Sequence, residues 1–255
     1  VSDTTPVEVA PGVHRLGSRL VNWYAVTDGS DVTLVDTGFP GHWRYLAPGL
    51  AALGRRIEDV RAVVVTHSHV DHTGFAARLV EDHDVPVMVH AADAIDGARR
   101  FPPMHLYLRP SSWGLLAEGL RDGMPTTRRI PRTHPVVDGD LLDAPGRPRA
   151  VHLGGHTPGS TAFVLADRGV VFTGDNLVTL DPYTRREGPQ LMVCGVQHDE
   201  PTAAAAMDRL AREDVPTLLP GHGDPWNDGV ALATERALEV HRSVHGRSLA
   251  PSHSR

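Results

Sequence analysis

Thr66-His67-Ser68-His69-Val70-Asp71-His72 follows directly on the apolar stretch Ala62-Val63-Val64-Val65 and packs four potential metal ligands into six residues. A β-strand sends successive side chains to opposite faces, so a strand carrying these residues would scatter them. A strand that stops at Val65 or Thr66 instead releases the chain into a loop, where imidazoles and a carboxylate can turn toward one point. Imidazole nitrogen and carboxylate oxygen are the donor set that suits Zn²⁺ and, with less preference, Fe²⁺ or Mn²⁺.

Outward from this run, three further donors stand in Gly- or Pro-rich turns, each after a strand-like run. Val151-His152-Leu153-Gly154-Gly155-His156-Thr157-Pro158-Gly159 offers His156, Val170-Val171-Phe172-Thr173-Gly174-Asp175 offers Asp175, and Thr217-Leu218-Leu219-Pro220-Gly221-His222-Gly223 offers His222. With His67, His69, Asp71 and His72 they make seven donors. Seven are too many for one tetrahedral ion but enough for two ions sharing a bridging carboxylate. The other histidines read as surface, capping or core residues, including His152, whose place just before the His156 turn a core-facing strand residue explains equally well.

The order H-x-H-x-D-H, then G-H-T-P-G, then G-D, then P-G-H-G resembles the ligand series of the metallo-β-lactamase superfamily, over most of the chain. The resemblance implies an α/β fold, an αββα sandwich of two mixed sheets flanked by helices. It also implies that His67, His69 and His156 hold a first metal, that Asp71, His72 and His222 hold a second, and that Asp175 bridges them. Leu34-Val35-Asp36-Thr37-Gly38 matches the family's strand and turn near the site, which makes Asp36 a support behind the ligands. The implied cofactors are two divalent cations, Zn²⁺ before Fe²⁺ or Mn²⁺.

Composition narrows the function classes. A chain of 255 residues, 40% hydrophobic and 22% charged, can bury one substantial core, so a single domain spanning 1–255 is expected. A net charge of −6 gives no electrostatic reason to bind nucleic acid or an anionic membrane, which leaves a small molecule as the expected partner. The 25 cationic side chains are all Arg. Cys194 is the one cysteine, so no intrachain disulfide forms; it reads as a buried structural thiol, and a cytoplasmic location is favoured. No apolar run approaches the roughly 20 residues of a membrane span. The start at Val1 rather than Met is compatible with a trimmed N-terminal segment.

Strand signals at 7–16, 20–27 and 31–36 make an antiparallel opening, followed by a helix at 43–53, a strand at 60–66, a helix at 75–81 and a strand at 85–89. That alternation implies β-α-β units. The second half reads as strands at 149–153, 160–165 and 169–173, a helix at 201–212 with Asp199 as N-cap, a strand at 216–219 and a closing helix at 230–245. The segment 91–135 reads as a mostly helical insertion that roofs the metal cleft, forms a homodimer contact, or simply packs on the sheet. Trp23, Phe39, Trp43, Tyr107, Trp113 and Tyr183 are candidate pocket-lining residues.

Two cations sharing a water lower its pKa and supply a nucleophile, while one polarises a carbonyl oxygen, so hydrolysis of an ester, lactone or thioester is the expected chemistry. Asp71 is the candidate to hold the attacking water or pass its proton onward. Departures from family branches sharpen this. Asp175 supplies the bridging carboxylate that the most similar true β-lactamases lack, and no basic arm suggests the phosphodiesterase branch that processes tRNA. Glyoxalase II adds a C-terminal domain with basic residues for glutathione, whereas this sequence ends soon after the helix at 230–245 and has no Lys, so a glutathione thioester is not the expected substrate; Val178 stands where quorum-quenching lactonases place Tyr. His69 excludes the flavodiiron pattern, which has Glu there. The rivals are a mononuclear iron persulfide dioxygenase, a β-lactamase or phosphodiesterase activity, and a protein that keeps the metals without turnover.

Overall fold

A computed structural model describes residues 5–94, 101 and 103–248 of the chain. The first sheet has seven strands in sequence order: β1 Val7–Ala10, β2 Val13–Gly17, β3 Asn22–Asp28, β4 Asp31–Val35, β5 Val60–Val65, β6 Val87–His90 and β7 His134–Val136. Strands β1 to β4 pair antiparallel. From β4 onward every pairing is parallel, which requires crossovers, and helices α1 Trp43–Ala52 and α2 Ala76–His83 supply the first two. The stretch 7–16, expected as one strand, is a hairpin, because Pro11-Gly12 turns the chain with Gly12 at φ 67°.

The second sheet holds β8 Arg149–His152, β9 Thr161–Leu165, β10 Val170–Gly174 and β13 Thr217–Pro220, in the order β13-β10-β9-β8. A separate hairpin, β11 Val178–Leu180 with β12 Glu187–Gln190, went unforeseen. Its strands are short, and Gly188-Pro189 breaks the alternation that marks a strand.

Strand periodicity explains the layering. On β5, Val63 and Val65 face a cluster with Leu46 and Leu50 of α1 and Leu79 of α2, while Ala62 and Val64 face the second sheet. On β10 the parity is the same: Val170 and Phe172 meet Tyr24 and Val64 between the sheets. Val171 turns outward to α5 Glu200–Leu210 and α6 Val230–Ser248. Helix α5 starts at Asp199, whose carboxylate accepts the Thr202 N–H at 3.2 Å, and it buries Ala203, Ala206, Met207 and Leu210, one face at helical spacing. Both sheets therefore carry helices on their outer faces. This is an αββα sandwich.

Between β6 and β7, segment 91–135 forms α3 Ala91–Ala94, α4 Trp113–Arg121 and three short 3-10 turns, with 95–100 and 102 outside the described residues. Its Leu106, Leu115 and Met124 pack on Phe39, Val70, Val178 and Tyr183, seating the segment on the loops at one edge of the sandwich. Among the described residues no helix is long and apolar enough to cross a membrane.

Candidate metal centre

Parallel strands bring their C-terminal ends to the same edge of a sheet. Asp36 follows β4, the 66–72 loop follows β5, Asp175 follows β10 and the 220–223 turn follows β13, while His156 lies in the turn from β8 to β9. Backbone bonds tie these loops together: Thr161 N–H donates to Thr66 O at 2.9 Å, Gly221 N–H to Gly174 O at 2.9 Å, and Asn22 N–H to Gly221 O at 2.8 Å. Gly221 must lack a side chain. A Cβ there would stand 2.4 Å from Asp175 Oδ1 and 2.6 Å from His72 Cε1.

The structure brings the seven donors together in two buried groups, His67, His69, His156 and Asp175 in one and Asp71, His72 and His222 in the other, with the donor atoms of each within 4.8 Å of one another. His69 Nδ1 lies 3.1 Å from His67 Nε2 and 2.9 Å from His156 Nε2. Asp175 lies between the groups. Its Oδ2 is 3.5 Å from His156 Nε2 and 3.0 Å from His222 Nε2, and its Oδ1 is 3.4 Å from His72 Nε2. Asp71 closes the second group, with Oδ2 3.6 Å from His222 Nε2.

The outer nitrogens decide the tautomers. His72 Nδ1 donates to Asp36 Oδ2 at 2.8 Å, and His222 Nδ1 donates to the Leu20 carbonyl. His156 Nδ1 donates to Gln197 Oε1 at 3.1 Å, an orientation set by Gln197 Nε2 donating to Met192 O. Thr66 gives its hydroxyl hydrogen to Asp36 Oδ2, so it accepts from His67 Nδ1 at 3.1 Å. A neutral imidazole carries one N–H. In their neutral forms all four rings therefore aim a lone pair inward.

Lone pairs crowded around a buried carboxylate call for a cation. His72 Nε2 and Asp175 Oδ1 are buried without a hydrogen-bond partner, a costly state for polar atoms unless an ion completes them. A Zn–N bond of about 2.0–2.1 Å in tetrahedral geometry separates nitrogens by about 3.3 Å, within a few tenths of an ångström of the spacing around His69. The residues fit divalent cations.

Charge is distributed unevenly between the groups. Burial, then the neighbouring His72, holds the His67 pKa well below its usual value, and burial with His69 takes His156 down to about 3. For His72 and His222 burial is again the largest single pull and lowers them, but the carboxylates together overcome it and raise both: Asp175, Asp36 and Asp71 around His72, and Asp175 and Asp71 around His222. Burial pushes Asp175 up, and His222 and His72 overcome it, leaving the carboxyl well below its usual range.

A cavity of about 320 Å³ opens on His69 and His156, walled by Phe101, Pro103, Pro158 and Val196 and flanked by Gln197 and His198. Five of the six aromatic residues expected to line a pocket lie away from this cavity. Trp23 is fully buried edge-on to Phe75 in the helix-side core, and Trp43 packs on that same cluster. Phe39 and Tyr183 are buried under segment 91–135, and Trp113 is 59% exposed on α4. Burial of an aromatic ring is a tertiary outcome that its position beside a motif did not announce. The Tyr107 and Cys194 side chains lie outside the described residues. Val178 is buried in the cluster with Phe39 and Tyr183. His152 stacks on His90 at 3.9 Å, its Nε2 donating to Pro158 O, and holds no place among the donors.

Sequence reasoning missed Gln197 and the orienting role of Thr66. Neither sits in a repeated pattern, and only Thr66 adjoins a ligand.

A further buried group, His42, Glu118 and Asp122, has different chemistry. Phe39 N–H points at His42 Nδ1 at 3.4 Å, so the proton sits on Nε2, which faces Asp122 Oδ2 at 3.5 Å. Arg44 and Arg121 pair with Asp122, and Ser18 with Glu118. The charges are met within the protein, and the cluster clamps α4 to the turn beyond Asp36.

Known proteins resemble this chain over the same regions. Residues 16–222 match the metallo-beta-lactamase superfamily. The probable metallo-hydrolase YflN of Bacillus subtilis is 26% identical over 234 residues, 86% of each chain. The hydroxyacylglutathione hydrolase of Cereibacter sphaeroides is 34% identical over 146 residues, 57% of this chain and 45% of that one. The crystal structure of the metallo-beta-lactamase family protein TTHA1429 from Thermus thermophilus superposes with a TM-score of 0.70 at 25% identity, covering 95% of this chain and 83% of that one. The match across the donor-bearing loops and the shared sandwich agree, and the chain belongs to the metallo-beta-lactamase superfamily.

Proposed function

We propose that this metallo-hydrolase family member is a dinuclear hydrolase acting on the carbonyl of an ester, lactone or thioester. In this reading His67, His69 and His156 hold the first cation, Asp71, His72 and His222 the second, and Asp175 both. The observation that carries it is the set of four inward lone pairs around Asp175, each enforced by an acceptor behind the ring. A pair of divalent cations supplies an ionised water at neutral pH and polarises a carbonyl oxygen.

The chain's own residues do the rest. Asp36 holds His72 directly and His67 through Thr66, so one carboxylate orients a ring in each group. Asp71 borders the second group with a carboxylate oxygen positioned to hold a water or accept its proton. Phe101, Pro103, Pro158 and Val196 give the adjoining cavity apolar walls against which an acyl or leaving group can exclude water. The likeness to a hydroxyacylglutathione hydrolase supports carbonyl chemistry over phosphoryl transfer. The buried, convergent second group supports two cations over the single iron of a persulfide dioxygenase.

The test is metal content by mass spectrometry, followed by assays of aryl esters, lactones, thioesters, β-lactams and phosphodiesters with zinc-, manganese- and iron-loaded protein. Two equivalents of metal with turnover on a carbonyl substrate are expected. One iron per chain with O₂ uptake on a persulfide, or no turnover on any class after confirmed loading, overturns the proposal.

A further inference from the structure

Asp93 is fully buried in α3 at the root of segment 91–135, and its carboxylate ties together the two loops that carry the first group. Oδ2 accepts the Ser68 N–H at 2.8 Å and the Thr157 hydroxyl at 2.6 Å, and Oδ1 accepts the Gly159 N–H at 2.9 Å. Ser68 lies between His67 and His69, and Thr157 follows His156. The approach is close enough to require glycine at 159, where a Cβ would stand 2.7 Å from the Asp93 Cβ and 2.8 Å from its backbone nitrogen.

Three donors converge on one carboxylate, and two of them meet at one oxygen. An ionised carboxylate accepts all three; an amide has one oxygen and must turn its NH₂ toward at least one N–H or O–H. The bonds run to backbone and hydroxyl groups on both sides of the first cation's site. No Asp93 bond reaches the 220–223 turn or Asp175, and His72 has its own support in Asp36.

Resting on the ligand assignment proposed above, we propose that Asp93 is a positioning residue for the first cation. It sets the spacing between the His67/His69 loop and His156, and it couples that spacing to the root of the segment whose Phe101 and Pro103 wall the cavity. Losing it weakens the first site and spares the second.

Zinc competition against a chromophoric chelator separates the sites when each is isolated by a ligand variant: H222A leaves the first site, H69A the second. D93N in the H222A background is expected to lower zinc affinity by about tenfold, the scale typical of residues behind metal ligands, and by less than about threefold in the H69A background. The melting temperature of the metal-free proteins is measured in parallel. T157V removes one of the three bonds with little change in shape and, if D93N does not fold, carries the test with the same selectivity expected. Equal losses in both backgrounds, a larger loss in the H69A background, or no loss in either overturns the proposal. These outcomes leave the hydrolase reading standing; wild-type protein that takes up no zinc, or that is loaded and inert on every substrate class, counts against that reading instead.

Discussion

Asp36 Oδ2 stands 2.8 Å from His72 Nδ1, and the same oxygen accepts the Thr66 hydroxyl that in turn accepts from His67. A single carboxylate thus orients one imidazole in each half of the centre. Its backbone is left-handed, φ 60°, a conformation that Asn tolerates and β-carbon-bearing residues generally avoid.

D36N therefore keeps the turn but sets an NH₂ either against the His72 ring N–H and the Thr66 hydroxyl or against the Thr66 backbone N–H. Affinity for both cations is expected to fall about 10- to 100-fold, with the fold retained by circular dichroism. Selective loss at one site would contradict the shared role of Asp36.

Acid should strip the centre in order. Burial is the largest single pull on His72 and His222, but Asp175 with the neighbouring carboxylates together raises both, so in the metal-free protein these rings begin to take protons above the usual histidine value of 6.5. His67 and His156 are lowered, the latter to about 3. A cation at the second site must compete with those protons as pH falls, while the His67 and His156 nitrogens of the first site stay unprotonated until much lower pH. Dialysis from about pH 7 to 5 should remove one zinc equivalent and keep the other. H222A, lacking the second site, should show only the later loss. Simultaneous release of both equivalents would refute the order.

Asp175 faces both groups, within 3.5 Å of His156, His72 and His222. D175A is expected to lose at least one equivalent of metal and more than about 100-fold in turnover, beyond the effect of residues behind the ligands. Full dinuclear content in this variant, measured by mass spectrometry, would sink the bridging assignment.

Gly221 offers a test of packing inside the centre. The Cβ of G221A would fall 2.4 Å from Asp175 Oδ1 and 2.6 Å from His72 Cε1, so the loop must shift. Overpacking of this kind costs about 1–3 kcal/mol. Denaturant unfolding of the metal-free protein should show that loss, and zinc titration should show the second site weakened more than the first.

Much of this centre was legible because its donors sit in local contexts that carry chemistry: a strand end before H-x-H-x-D-H, and glycine turns before Asp175 and around His156 and His222. Element types in the long periodic stretches were equally plain, as in β5 and α5. Where the reading failed, local pattern and tertiary outcome diverged. Trp23 lies beside the site in sequence reasoning but fills the core against Phe75, and Pro11-Gly12 splits one apparent strand into a hairpin.

Sequence alone determined the donor types, their order along the chain and the alternation that layers helices on sheets, because these depend on residue chemistry and on periods of two and 3.6 residues. Tertiary structure decided which nitrogen each imidazole turns inward. Three of the four acceptors that hold the outer nitrogens come from far along the chain: Asp36 for His72, Gln197 for His156 and the Leu20 carbonyl for His222, the last 202 residues away; Thr66 adjoins His67 but is itself oriented by Asp36. No local pattern encodes such pairings; they exist only once parallel strands bring their ends to one edge.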